Sequence, residues 1–111
     1  DTRNAAGPLG GPALAALTDR IFPMAGTCGI PADAKSVSLN IAVTGPTNAG
    51  NLRLHPGGTS VPLVSSINYK AGQTRSNNAV IRLNSLGELA AYLDQVSGTA
   101  HLILDVNGYF K

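Results

Sequence analysis

The apolar residues of this chain recur at every second position, in short runs separated by Gly, Pro and Asn. Ser36–Pro46, "SVSLNIAVTGP", is the clearest case. Val37, Leu39, Ile41 and Val43 point one way and Ser36, Ser38, Asn40 and Ala42 the other, the two-residue repeat of a strand with one buried face. The same alternation predicts strands over 17–24 ("LTDRIFPM"), 51–56 ("NLRLHP"), 61–69 ("VPLVSSINY"), 74–83 ("TRSNNAVIRL"), 88–93 ("ELAAYL") and 99–106 ("TAHLILDV"). In 61–69 the inner residues are Val61, Leu63, Ile67 and Tyr69. In 74–83 they are Ala79, Ile81 and Leu83. Residues 5–16, "AAGPLGGPALAA", hold three glycines and two prolines and read as a covering loop, suited neither to a stable helix nor to a regular strand. Asn107-Gly108 is a hairpin-turn signal, because both residue types accept positive φ. The chain ends three residues later, at Lys111, so the returning strand must come from elsewhere in the fold or from another chain.

Seven to eight short strands with turn signals every 8–12 residues point to one all-β domain over 1–111, an antiparallel β-sandwich of immunoglobulin-like or jelly-roll-like form. A small barrel has the same signature. A helix over 86–95, whose residues favour helices, is the rival reading and would make the fold mixed. At 111 residues the chain is long enough to bury a core without metals or disulfides.

Charge and chemistry narrow the function. Charged residues are 13% of the chain, about half the usual share. The formal net charge of +2 is scattered, with no basic run and no aromatic interleaving, which argues against nucleic acid. No apolar run approaches the roughly 20 residues of a membrane-spanning helix. The chain opens at Asp1 rather than Met, which reads as a mature product or an excised fragment. Low charge with many Ser, Thr, Asn and Gly is the composition of a secreted, extracellular module.

No catalytic constellation is visible, and the chain reads as non-enzymatic. His55 and His101 are the only histidines, on different predicted strands, and neither has metal-ligand spacing to Cys, Asp or Glu. His55, beside a Pro-Gly-Gly turn, reads as a surface residue. The D-x-D-x-D-G calcium pattern is absent, so no metal or cofactor is expected. Glu88 is the only glutamate and the aspartates are scattered, a poor basis for a paired-carboxylate glycosidase. There is no G-x-S-x-G elbow and no phosphate loop. The single Cys28 reads as a small buried residue, or as one half of a bond to another chain.

Asn40 and Asn68 fall inside strand patterns, where asparagine is normally depleted. They form either local backbone bonds or a polar face that meets a ligand. A glycan- or cell-wall-binding module would combine them with Tyr69 and Tyr92 as ring platforms, although the chain has no Trp.

The stretches "DTRNAAGP", "CGIPADAKSVSLNIAVTGPTNAGNLRLHPGG", "INYKAGQTRSNNAVIRL" and "LDVNGYF" together resemble a module of secreted bacterial proteins known chiefly from Actinobacteria and Acidobacteria. That module runs from an Asp-Thr-Arg start to an Asp-Val-x-Gly-Tyr-Phe end. The hydrophobic lead-in that precedes Asp-Thr-Arg in that family is missing from this sequence. The resemblance implies an extracellular, non-catalytic, β-rich accessory unit, repeated or attached to peptidases and cell-wall amidases, and it carries over no site residues. Ends of this kind suggest that Thr2-Arg3 pairs beside the Leu102–Val106 strand. Arg3 would meet a carboxylate such as Asp105, and Tyr109 and Phe110 would cap the open end of the core. An unpaired edge there would invite homotypic contact with neighbouring copies or modules, as in a surface fibre.

Overall fold

A computed structural model describes all residues 1–111. The chain forms eight strands: β1 (Leu14–Ala15), β2 (Asp19–Pro23), β3 (Ser36–Thr44), β4 (Gly50–Pro56), β5 (Ile67–Tyr69), β6 (Arg75–Arg82), β7 (Glu88–Gln95) and β8 (Thr99–Phe110). There is no helix. The expected strand over 88–93 is present as β7, and the helical rival is absent.

Two four-stranded sheets form, in the orders β1-β8-β3-β6 and β2-β7-β4-β5, and every pairing is antiparallel. The pairs β4·β5, β3·β6, β2·β7 and β1·β8 nest inside one another. The chain is therefore one long hairpin, doubled at residues 57–66 and rolled so that successive pairs alternate between the sheets. That is the jelly-roll form of the antiparallel β-sandwich.

The alternation read from the sequence fills the space between the sheets. Val37, Leu39, Ile41 and Val43 of β3 are 0–1% exposed and face Leu52, Leu54, Leu89, Ala91 and Leu93 of the other sheet. Gly87 closes the turn before β7 at φ +75°, with Ala25 packed against it, so a Cβ there would be both strained and crowded.

Several expectations are corrected. The strand over 61–69 shrinks to Ile67–Tyr69; residues 61–66 run outside the sheets, and Leu63 is 94% exposed rather than inward-facing. Pro62 has no N–H to give to a ladder, and regular contact with β4 begins only at Ser66, whose N–H donates to the Leu52 carbonyl at 2.7 Å and whose Oγ accepts the Leu54 N–H at 3.1 Å. Asn107-Gly108 is not a hairpin turn. It lies within β8, where the register with β3 shifts between Ser38 and Leu39, so the extra residue is absorbed as a bulge. The covering loop over 5–16 contains the two-residue β1. His55 is buried, because the 57–66 segment folds back beside it. Cys28 is exposed, at φ +48°.

Leu93→Ala removes a side chain that is fully buried at the centre of β7 and is expected to cost about 2–5 kcal/mol. Leu63→Ala, equally apolar in sequence but exposed, should change stability by less than about 0.5 kcal/mol. Urea denaturation of the two variants at low protein concentration checks the contrast; equal losses would contradict the assignment of 61–66 to the surface.

Candidate functional site

The unusual feature is the outer margin of β8. On one side β3 accompanies it from His101 to Phe110. On the other, β1 reaches only Thr99 and Ala100. Thr2 extends that cover by one step: its N–H donates to the Leu102 carbonyl at 2.9 Å, and its Oγ1 accepts the Leu102 N–H at 2.8 Å and lies 3.1 Å from His101 Nδ1. The pairing of Thr2 beside the terminal strand is thus present.

Beyond Leu102 the cover stops. Because Leu102 turns its backbone groups toward Thr2, alternation turns those of Leu104 and Val106 the same way, and no strand or loop backbone meets them. Unpaired edges of this kind serve as templates for another strand.

Beside this open edge the two sheets part. A cavity of about 530 Å³ is lined by Leu102, Leu104 and Val106 of β8, Phe22 of β2, and Met24 and Ile30 of the loop that follows β2. Its size falls in the range of small-ligand and peptide sites. Asp1, Asp105 and Tyr109 stand at the rim with Cys28. The upper part of this margin is closed differently. Arg20 lies over the Phe22 ring, 5.1 Å from its centroid, and donates to the carbonyls of Gly7, Gly10, Gly11 and Pro12, which clamps the N-terminal loop in place.

The other expected contacts at the ends differ. Arg3 pairs with Asp1, Nε to Oδ1 at 3.0 Å and Nη2 to Oδ2 at 2.8 Å, and not with Asp105; a carboxylate two residues away is the nearer partner. Asp105 is exposed, opposite Asn40 on the outer face. Tyr109 lies over the cavity, half-exposed. Phe110, opposite Ser36, faces solvent and caps no core, because the bulge sets its side chain outward.

The four glycan candidates are divided. Tyr69 is 5% exposed and donates to Gln95 Oε1 at 2.6 Å, so it is a core residue. Burial, and secondarily the Asp94 carboxylate, push its hydroxyl up to about 12. Asn40 lies on the outer face of the other sheet, between Asp105 and Asn78. Tyr92 and Asn68 do share a face, the outer side of β2-β7-β4-β5. There Asp94 accepts from Asn51 Nδ2 at 3.1 Å and Arg53 Nη2 at 2.8 Å, and Asn51 stands opposite Asn68. His55 on the same sheet bonds Asp19 and Thr59, both at 2.9 Å. No group of three or more His, Cys, Asp or Glu side chains converges anywhere as a metal site would require.

The open edge had a sequence signal: β8 is long and apolar, and the only strand-length candidate before residue 17 is Gly/Pro-rich. The neighbouring cavity had none, since it arises from how the sheets part.

No protein-family model matches the chain, and no curated protein matches it. Among solved structures it is similar to the coat protein of Tobacco streak virus, with a TM-score of 0.51 and 21% identity over 85% of this chain and 73% of that one. The likeness is one of fold, and it agrees with the jelly-roll strand order.

Tyr69→Phe leaves the buried Gln95 oxygen without its donor and is expected to cost about 1–3 kcal/mol at neutral pH. The raised hydroxyl also has a sign. Between pH 10 and 12 the unfolded tyrosine ionises while the folded one does not, so this group's stabilisation is present below pH 10 and lost toward 12. Denaturation measured across that window should fall less steeply in the variant than in the parent. Equal slopes would contradict a buried hydroxyl.

Proposed function

We propose that this chain is a structural module, without a reaction of its own, that assembles with copies of itself through the open margin of β8. The observation that carries the reading is the run of unpaired backbone groups at Leu104 and Val106 beside an apolar cavity. Strand addition satisfies such groups and buries such a surface in one step. The similar Tobacco streak virus chain is a coat protein, which is consistent with a fold that serves as a building unit. The low charge and the resemblance to secreted bacterial accessory modules support a place outside the cell, on a bacterial surface or in a fibre.

A second reading has one observation in its favour. Tyr92, half-buried, shares its sheet face with Asn68, Asn51, Arg53 and Asp94, a ring flanked by planar polar groups that suits a cell-wall polysaccharide.

Sedimentation velocity over a rising concentration series tests the first reading. The average mass should climb above the 11.3 kDa of one chain. A mass fixed at that value up to millimolar concentration would contradict it. Retention on insoluble peptidoglycan, cellulose or chitin that Tyr92→Ala weakens without unfolding the chain would favour the second.

A further inference from the structure

The segment that doubles the long hairpin is apolar and β-prone in sequence, yet it joins no strand ladder, and between Val61 and Ser65 its one backbone tie is the Pro62 carbonyl, which accepts from Arg53 Nη1 at 3.0 Å. Val61, Pro62, Leu63 and Val64 run outside both sheets. Leu63 is 94% exposed and Val64 77%. No hydrogen bond engages the N–H of Val61, Leu63, Val64 or Ser65. The molecule thus carries an apolar segment without a strand partner, bent at Leu63 and Val64, at one margin, and an unpaired strand edge with an apolar cavity at another. The 57–66 segment joins β4 to β5, and β5 is the margin of its sheet opposite β2, which flanks the cavity. One copy cannot close its own cavity with this segment.

Resting on the self-assembly reading above, we infer that the Val61–Ser65 segment of one copy adds antiparallel to the Ile103–Phe110 edge of the next, with Leu63 seated in the cavity. Pro62 decides the geometry. In an antiparallel pair, residues opposite one another share a face, and both turn their backbone groups toward the partner or both away. Leu104 and Val106 turn their backbone groups outward while their side chains point into the cavity. A residue opposite either one bonds to it and points inward as well. Pro62 has no N–H and must take an alternate position. Val61, Leu63 and Ser65 are left to bond, and their side chains face the cavity floor of Phe22, Met24 and Leu104. A parallel addition with the same proline constraint would turn Leu63 to solvent.

The contact uses different surfaces on the two copies, so it propagates head to tail into a filament or ring rather than closing as a two-fold dimer.

Four samples in sedimentation velocity test this: the native chain, Leu63→Asp, the native chain alkylated with a bulky maleimide at Cys28, and an equimolar mixture of the last two. Cys28 is the only cysteine, is exposed and borders the cavity, so the adduct blocks the acceptor side without a core substitution. Circular dichroism confirms that each sample is folded. The native chain should form species beyond the dimer. Each modified chain alone should remain monomeric, with at least a tenfold rise in dissociation constant. The mixture should stop at the dimer, since only the alkylated chain brings an intact segment and only the Asp variant an open edge. A native chain that assembles while Leu63→Asp assembles equally well overturns this inference and leaves the self-assembly reading standing. A native chain that stays monomeric overturns both.

Discussion

The pairing of β3 with β8 is the constraint on which the molecule depends. β3 lies between β8 and β6, and its four inward side chains are almost wholly removed from water. Because β3 holds β8 from His101 to Phe110, the last strand stays extended even though its other side is covered only at the start. The bulge at Asn107-Gly108 keeps that grip past the point where the sheets diverge. The longest pairing in the fold thus displays an edge left open beyond Leu102.

The two halves of this margin are managed differently. Around Arg20 the chain spends a guanidinium on four loop carbonyls and so seals the upper half with a segment too rich in Gly and Pro to form a strand. The lower half has no such clamp. Loop 24–30 approaches without donating to β8, and the apolar side chains of both sheets border open space. Edges left long and flat usually carry inward charges or prolines that discourage addition. Here the charges nearby are Asp105, on the outer face, and Asp1, which stands at the cavity rim paired with Arg3.

Local periodicity made much of this legible. Ser36–Thr44 is a strand within two residues of its expected end, and β7 and the start of β8 follow the same rule. What failed depended on partners distant in sequence. Leu63 alternates correctly with its neighbours and is still exposed, since alternation describes a strand's faces and cannot supply a strand beside it. Asn107-Gly108 has the chemistry of a turn, but a partner strand already in register makes a bulge the smaller disturbance. His55 precedes the Pro-Gly-Gly residues that set a surface turn, yet the segment after the turn returns to cover it. Of the candidate site, Thr2 beside Leu102 was readable because the two ends of the chain had to meet somewhere. Arg3 turns to Asp1 rather than to Asp105 because a bidentate partner two residues away outcompetes one across the sheet. The polar face around Tyr92 was half visible, and only the strand order separates it from Asn40.

The backbone of Leu104 and Val106 is unpaired in one copy, and the proposed assembly pairs it. Amide hydrogen exchange, followed residue by residue at dilute and at concentrated protein, tests this directly. Both amides should exchange fast in dilute solution, while Leu39 and Ile41 remain protected. At high concentration the two should become protected with the rest of the sheet. Amides of Leu104 and Val106 that are slow in the dilute monomer, or that stay fast once the protein has assembled, would contradict the account.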